Sequence, residues 1–426
     1  MTEEGQSNST TGGRTGTGSV VGLACAGGGM EGALYEIGVL CALQESIEGI
    51  HFEKLDVYVG VSAGALISAC LANGIPPRTL SESIISRAED PLLNIEPEVL
   101  FAPAWRSFLR RFTLLPAIVK RAVVKFYERP FDQSVLGTVA RLGELLPLGL
   151  FDNTPLQQKL AAMFSTGGRT DDFEALPARL RVVAVNLDSS EVVLFGDPDG
   201  PKASISKAVQ ASSALPILYG PVEIDGQFYI DGVARRTVHA SVALEAGVDL
   251  LFCINPIVYA DFHDGTAGSK SLVDRGLPAV LSQTFRMLVY SRMKTGFRNY
   301  RHMHSEADLI LIEPSPKDFA WIFSNIFSFA NRFAVGEHSY QTTRQFLRDN
   351  APDIQEKLGR HRLTLKTEVL HDESRTLYGD LKAGPPGSPV FNRANHVLER
   401  LDHALQELQP RLNVEENRAL SADRIN

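Results

Sequence analysis

Apolar and polar positions divide the chain into short apolar runs and longer amphipathic ones. Ser19 to Ala26 is an apolar run of strand length, and Leu55 to Val61 is a second, rich in β-branched and aromatic residues. Each leads into helix-forming residues. The first helix is predicted from about Ala33 to Ser46, with Leu34, Ile37, Leu40, Cys41 and Ile47 on one face. The second spans Ala63 to Ala72 and is stopped by Asn73-Gly74. Strand, helix, strand, helix in this order predicts a parallel sheet.

Further along, Leu180 to Leu187 and Val192 to Phe195 read as a hairpin around Asp188-Ser189-Ser190. Ser204 to Ser213 is a predicted helix and Pro216 to Gly220 a turn. Val222 to Ile224 and Phe228 to Ile230 are short strands joined by Asp225-Gly226, a strong hairpin signal. A helix from Thr237 to Ala246, a buried strand at Asp249–Ile254, a long amphipathic helix from Leu277 to Met303 and a strand at Asp308–Ile312 follow. The aromatic stretch from Phe319 to Phe333 reads as core, although its spread is wider than one helix face and leaves contact of a part with lipid or a partner open. Beyond Asn350 the chain is polar and helical, with Ala383-Gly-Pro-Pro-Gly-Ser-Pro389 as a linker and a last amphipathic helix at Asn392 to Leu408.

This pattern divides the chain into a disordered Ser, Thr and Gly-rich leader (1–18), an α/β unit (19–350) and a helical C-terminal extension (351–426) with its linker at 383–389. Residues 89–150 interrupt the βα alternation as a helical insertion or lid. They place Trp105, Phe108, Leu109 and Phe112 at helical spacing among Arg106, Arg110, Arg111, Lys120, Arg121 and Lys125, with no acid between Glu98 and Glu128. A basic amphipathic segment suits a membrane surface, and Trp105, Arg106, Arg110 and Arg111 are its candidate contacts. Ordinary helices with solvated basic faces would read the same way.

Composition narrows the picture. A net charge of -8 argues against nucleic acid as a partner. Cys25, Cys41, Cys70 and Cys253 lie in apolar surroundings without metal-type spacing, so reduced core thiols and a cytoplasmic location are expected. No export signal is expected, since no basic start followed by an apolar run is seen, and no apolar run reaches spanning length. No metal site is expected, because His302 and His304 have no nearby acid or cysteine pattern. Composition leaves the oligomeric state open.

The candidate chemistry begins at Gly60-Val61-Ser62-Ala63-Gly64, placed between a predicted strand and a predicted helix. Such a turn strains its central residue, tolerates only small neighbours such as Gly60 and Gly64, and pushes the serine oxygen out near the positive end of the helix. Ser62 is therefore a candidate nucleophile. Gly27-Gly28-Gly29-Met30-Glu31-Gly32 also satisfies a dinucleotide pattern, but the second strand ends in Val59-Gly60-Val61-Ser62 and not in the acid a ribose needs. The glycines instead suit an oxyanion hole, with backbone N–H groups from Gly27, Gly28, Gly29 and Met30 aimed at developing negative charge. Each such donor is worth about 3–4 kcal/mol in acyl transfer. A tight βα turn is the plainer reading of the same residues.

Ser62 also needs a base. Asp231 and His239 follow it in the chain order of an α/β-hydrolase triad, yet only one βα unit precedes Ser62 and His239 falls in a predicted helix. Asp231 alone, at the end of a short strand and before Gly232, is the other candidate.

These residues resemble the patatin-like phospholipase family. Gly27–Gly32 is similar to its glycine-rich motif, Gly60–Gly64 to its nucleophile elbow, and Asp231-Gly232-Val233 to the D-G-[GA] motif of its Ser-Asp dyad. Gly38-Val39-Leu40 and Ala211-Ser-Ser-Ala-Leu-Pro216 also match. The resemblance spans about Val20 to Pro256. It implies a three-layer α/β/α fold with a mostly parallel central sheet. It also implies metal- and cofactor-independent hydrolysis of acyl esters in lipids by Ser62 and Asp231. Glu31 stands where the family has Arg or Lys, which leaves neutral glycerides, thioesters or a polyester open as substrates. Val233 replaces a small residue and would be strained if its φ were positive. Both departures keep open a membrane- or partner-binding protein with weakened catalysis.

Overall fold

The computed structural model describes residues 18–85, 97–104, 148–262, 271–318 and 332–378. Most of the leader, Trp105, Arg106, Arg110 and Arg111, the aromatic stretch from 319 to 331, the linker at 383–389 and the helix at 392–408 lie outside them. In chain order the strands are β1 (Val21–Cys25), β2 (Ile47–Glu48), β3 (Val57–Val61), β4 (Gly149–Phe151), β5 (Arg179–Asn186), β6 (Val192–Phe195), β7 (Ile217–Tyr219), β8 (Val222–Ile224), β9 (Gln227–Asp231), β10 (Leu250–Ile254), β11 (Asp308–Ile312) and β12 (Thr364–Leu365). The helices are α1 (Gly29–Ser46), α2 (Ala63–Ala72), α3 (Pro77–Leu80), α4 (Pro97–Leu100), α5 (Thr154–Phe164), α6 (Ile205–Ser212), α7 (Ala240–Glu245), α8 (Leu277–Met303), α9 (Arg332–Asp349), α10 (Ala351–Arg360) and α11 (Thr367–His371).

Eight strands form one sheet. β11, β10, β1, β3 and β5 run parallel, β6 and β9 each pair antiparallel with β5, and β8 pairs antiparallel with β9. The α/β fold class read from the sequence is the one observed. β1, β3 and β10 are buried at every residue, as a parallel sheet covered on both faces requires. On one face Val57, Val59 and Val61 pack with Leu251 and with Val289 and Met293 of α8. α2 lies against the other, over β1, β3 and β5, and α1 packs on α2. All four cysteines are buried and free.

The order of pairing along β5 decides where the site forms. Val182 and Val183 each pair with both β3 and β6, while Ala184 and Val185 each pair with both β6 and β9. A strand residue has one partner on each side. β3 and β9 therefore share a single edge of β5, end to end, and run toward each other.

Three elements differ from the sequence reading. α1 begins at Gly29, four residues early, and is buried on nearly all sides because α9 packs on its outer face. A Cβ on Gly38 would sit 2.0 Å from Ser339 Oγ, so glycine permits that crossing. Pro216 to Gly220 holds a short strand, β7, paired in parallel with β4, a long-range pairing that turn residues cannot reveal. α7 begins at Ala240 instead of Thr237, leaving His239 just outside it. Among the described residues, no helix is long and apolar enough to cross a membrane.

The C-terminal elements through Leu377 belong to the same compact unit. β12 pairs with β2, and Tyr340 donates to Glu45 Oε2 at 2.6 Å. The buried Arg344 donates to the carbonyls of Val369 (2.7 Å) and Asp372 (2.6 Å), tying α9 to α11 and the residue after it.

Candidate active site

Ser62 is the single residue between β3 and α2. Its backbone has φ 54° and ψ -120°, a sparsely populated conformation that persists only where neighbours over-determine it. They do so here. The Ser62 N–H donates to Ser212 Oγ at 2.8 Å, and the Ser212 hydroxyl in turn donates to the Val183 carbonyl of β5 at 2.6 Å. Gly64 N–H donates to Ala26 O at 3.1 Å, and a Cβ there would lie 2.5 Å from that oxygen. The turn can press against the end of β1 only with glycine at 64. Gly60 packs as tightly, its absent Cβ falling 2.5 Å from Ala65 Cα.

Asp231 closes β9 and is 1% exposed. It pairs with Ala184, the residue after Val183, which is the partner of Val61. The shared edge of β5 thus delivers Asp231 beside Ser62. One carboxyl oxygen, Oδ1, accepts the Val233 N–H at 2.9 Å and so caps the turn at Gly232–Ala234. Burial pushes the carboxyl up to about 7 from an ordinary 3.8, and hydrogen bonding from the Ser62 side chain and from Val233 N–H pulls the other way. Val233 does not occupy the left-handed region; it is buried in a regular turn, so the strain expected of a β-branched residue is absent.

The glycine-rich stretch runs from the end of β1 into α1. A Cβ on Gly27 would lie 2.1 Å from Val233 Cγ2 and 3.2 Å from Ser62 Cβ, so Gly27 is wedged between the two motifs. Because α1 starts at Gly29, the N–H groups of Gly29 and Met30 belong to its first turn and have no acceptor within the helix. The positive ends of α1 and α2 both face this space.

Gly28, Gly29, Met30, Ser62 and Asp231 line one cavity of about 250 Å³. Its walls are mainly apolar, with Leu66, Phe101, Leu156, Leu215 and Leu218 among them. Glu31 and Arg286 also line it. Arg286 reaches in from α8, donates to Val258 O at 3.2 Å, and has its pKa lowered by burial and raised by the charge of Glu31. His239 is buried, does not line the cavity, and has its pKa lowered to about 4 by burial. Among the described residues no group of acids, histidines and cysteines is arranged for a metal ion.

Sequence reading missed two residues of this site. Ser212 stands in the quoted Ala211–Pro216 run without a role, and Arg286 lies in a long helix whose pattern carries no signal for it.

A family model described as patatin-like phospholipase matches residues 23–244. A curated relative, probable lipid hydrolase 463L of Invertebrate iridescent virus 6, is 23% identical over 223 residues, 52% of this chain and 63% of that protein. The chain thus spans less than two thirds of that relative's length. Among solved structures, VipD from Legionella pneumophila aligns over 77% of this chain and 66% of its own, with 17% identity and a TM-score of 0.30. The type III effector ExoU of Pseudomonas aeruginosa aligns over 78% and 53%, with 16% identity and a TM-score of 0.29.

Proposed function

The chain belongs to the patatin-like phospholipase family, and on that premise we propose that it cleaves acyl ester bonds of lipids through Ser62 and Asp231. The observation that carries this reading is the meeting of a strained serine and a buried carboxyl in one apolar cavity, beside the first turn of α1. Ionised Asp231 accepts the hydroxyl proton as Ser62 Oγ attacks the ester carbonyl carbon. Negative charge then grows on the carbonyl oxygen, facing the N–H groups of Gly28, Gly29 and Met30. The tetrahedral intermediate collapses, the C–O bond to the alcohol breaks, and Asp231 returns its proton to the leaving oxygen. A water, deprotonated by Asp231, attacks the acyl-serine. The second tetrahedral intermediate collapses, the bond to Ser62 Oγ breaks, and Asp231 returns that proton to Oγ as the fatty acid leaves.

The apolar walls favour an acyl chain over a polar substrate. Glu31 and Arg286 together give the cavity one charge of each sign, which suits an ester with little net charge near the reacting carbonyl.

The test is fatty-acid release from mixed phospholipid and neutral-glyceride vesicles, with chelator present. Ser62→Ala should abolish release and labelling by a fluorophosphonate, while leaving the fold intact. Release undiminished in that variant would sink the mechanism.

A further inference from the structure

The helix that brings Arg286 to the cavity carries a second feature the proposed chemistry does not use. α8 buries Val289, Met293, Phe297 and Tyr300 in the core. Its N-terminal half also exposes large apolar side chains on the outer side: Leu277 (69% exposed), Leu281 (59%) and Leu288 (62%), with Val280, Phe285 and Met287 flanking them. At 100° per residue, Leu277, Leu281 and Leu288 fall within one narrow stripe. Beyond Leu288 the same side turns polar, with Ser291, Arg292, Thr295 and Arg298 exposed. No Asp or Glu occurs from Leu277 to Met303, in a chain of net charge -8. The apolar half is the one that meets the cavity, through Ser282, Phe285 and Arg286.

A second exposed apolar cluster adjoins the same cavity. Leu148 and Leu150, at β4, and Ile217, which opens β7, are all exposed. Leu218 and Tyr219, the next two residues of β7, line the cavity. Ile217 is 77% exposed and has φ 78°, a left-handed backbone that is costly for a β-branched residue. Exposure returns no burial energy for that strain, which points to a contact made with something outside the chain.

We propose that the N-terminal half of α8 and the β4–β7 turn seat the mouth of the cavity on an anionic lipid surface. The apolar residues enter the acyl boundary, and Arg292 and Arg298 lie among the headgroups. This rests on the lipid hydrolysis proposed above, since an acyl chain must leave the bilayer for the cavity without crossing water. A second copy of the chain fits the surface less well, because the basic, acid-free half of α8 would meet its like charge.

The test compares the full chain with Leu281→Asp/Leu288→Asp, two exposed positions that do not line the cavity. Sedimentation is measured with vesicles of phosphatidylcholine containing phosphatidylglycerol, and turnover on a soluble short-chain ester. The variant should lose vesicle binding by at least about tenfold and keep soluble-ester turnover within about twofold. Arg292→Gln and Arg298→Gln should each weaken binding to the anionic vesicles about fivefold at low salt, and barely affect pure phosphatidylcholine. Unchanged vesicle binding by the Leu variant would overturn the proposal. So would a shift from dimer to monomer in that variant with vesicle binding intact, which would assign the surface to a contact between copies. A wild-type chain that sediments with vesicles but turns over no soluble ester would overturn the hydrolysis and leave the docking supported.

Discussion

Val61 and Asp231 pair with consecutive residues of one strand, Val61 with Val183 and Asp231 with Ala184. The strands that carry them approach from opposite directions along the same edge of β5. Ser62, one residue past Val61, therefore stands beside a carboxyl from far along the chain. The hydroxyl of Ser212 adds the brace, bridging Ser62 N–H to the carbonyl of Val183.

That brace is testable by Ser212→Ala. The change leaves the Ser62 N–H and the Val183 carbonyl buried without their partner, a loss of about 1–3 kcal/mol in chemical denaturation. Turnover should fall further than stability implies, with kcat/KM down about tenfold to a hundredfold, because the strained turn is free to relax. Full activity in a destabilised variant would show that the turn holds itself.

A second expectation concerns pH. Asp231 must be ionised to accept a proton, and burial raises its pKa to about 7. The kcat/KM of the free enzyme should rise as pH increases through that value and then level, and Asp231→Asn should abolish it. The stability term has the opposite slope. A carboxyl near 3.8 when unfolded and near 7 when folded binds its proton more tightly in the folded state. Its contribution is fully present below the unfolded value and is lost as pH rises through the folded one. A stability difference between wild type and Asp231→Asn that is flat across this window would contradict the assignment.

The wedge formed by Gly27 can be probed by a paired substitution. Gly27→Ala alone drives a methyl into Val233 Cγ2, at 2.1 Å, and should cost most of the activity. Adding Val233→Ala removes that obstacle, and the next contact, Ser62 Cβ at 3.2 Å, is tight but not forbidding. The double variant should recover part of the rate on an ester assay. A double variant worse than the single one would mean that Gly27 is needed for its backbone conformation.

Glu31 and Arg286 should be coupled. With Arg286→Gln, the Glu31 carboxylate loses its opposing charge beside the growing oxyanion, and kcat/KM on a neutral ester should drop about tenfold. In a Glu31→Gln background the same change should matter about twofold or less, a coupling of roughly 1 kcal/mol. Glu31→Gln alone leaves the guanidinium uncompensated and should raise activity on anionic relative to neutral lipids. Additive effects would show that the two side chains act separately.

The sequence by itself determined the local chemistry. Gly60–Gly64 between an apolar run and a helix-forming run determined a strained serine, because only glycine fits where backbone meets backbone. Asp225-Gly226 determined the hairpin that ends in Asp231, because both residues adopt positive φ there. Continuous apolar strands determined a sheet covered on both faces. Each of these leaves its mark in a few consecutive residues, although the partners that hold the Ser62 turn, Ser212 and Ala26, come from far along the chain.

Tertiary structure decided the rest. Register along β5 placed Asp231 beside Ser62, and a pairing register is not written in either strand alone. Burial, which depends on every layer of the fold, moved the pKa of Asp231. α1 is buried beyond the apolar face its sequence shows because α9 covers it, and Arg286 faces Glu31 because two helices distant in sequence meet at one cavity. β7 formed where turn residues stood, because β4 supplied hydrogen-bond partners from nearly seventy residues away. These are long-range contacts, whose energies appear only once the chain has closed on itself.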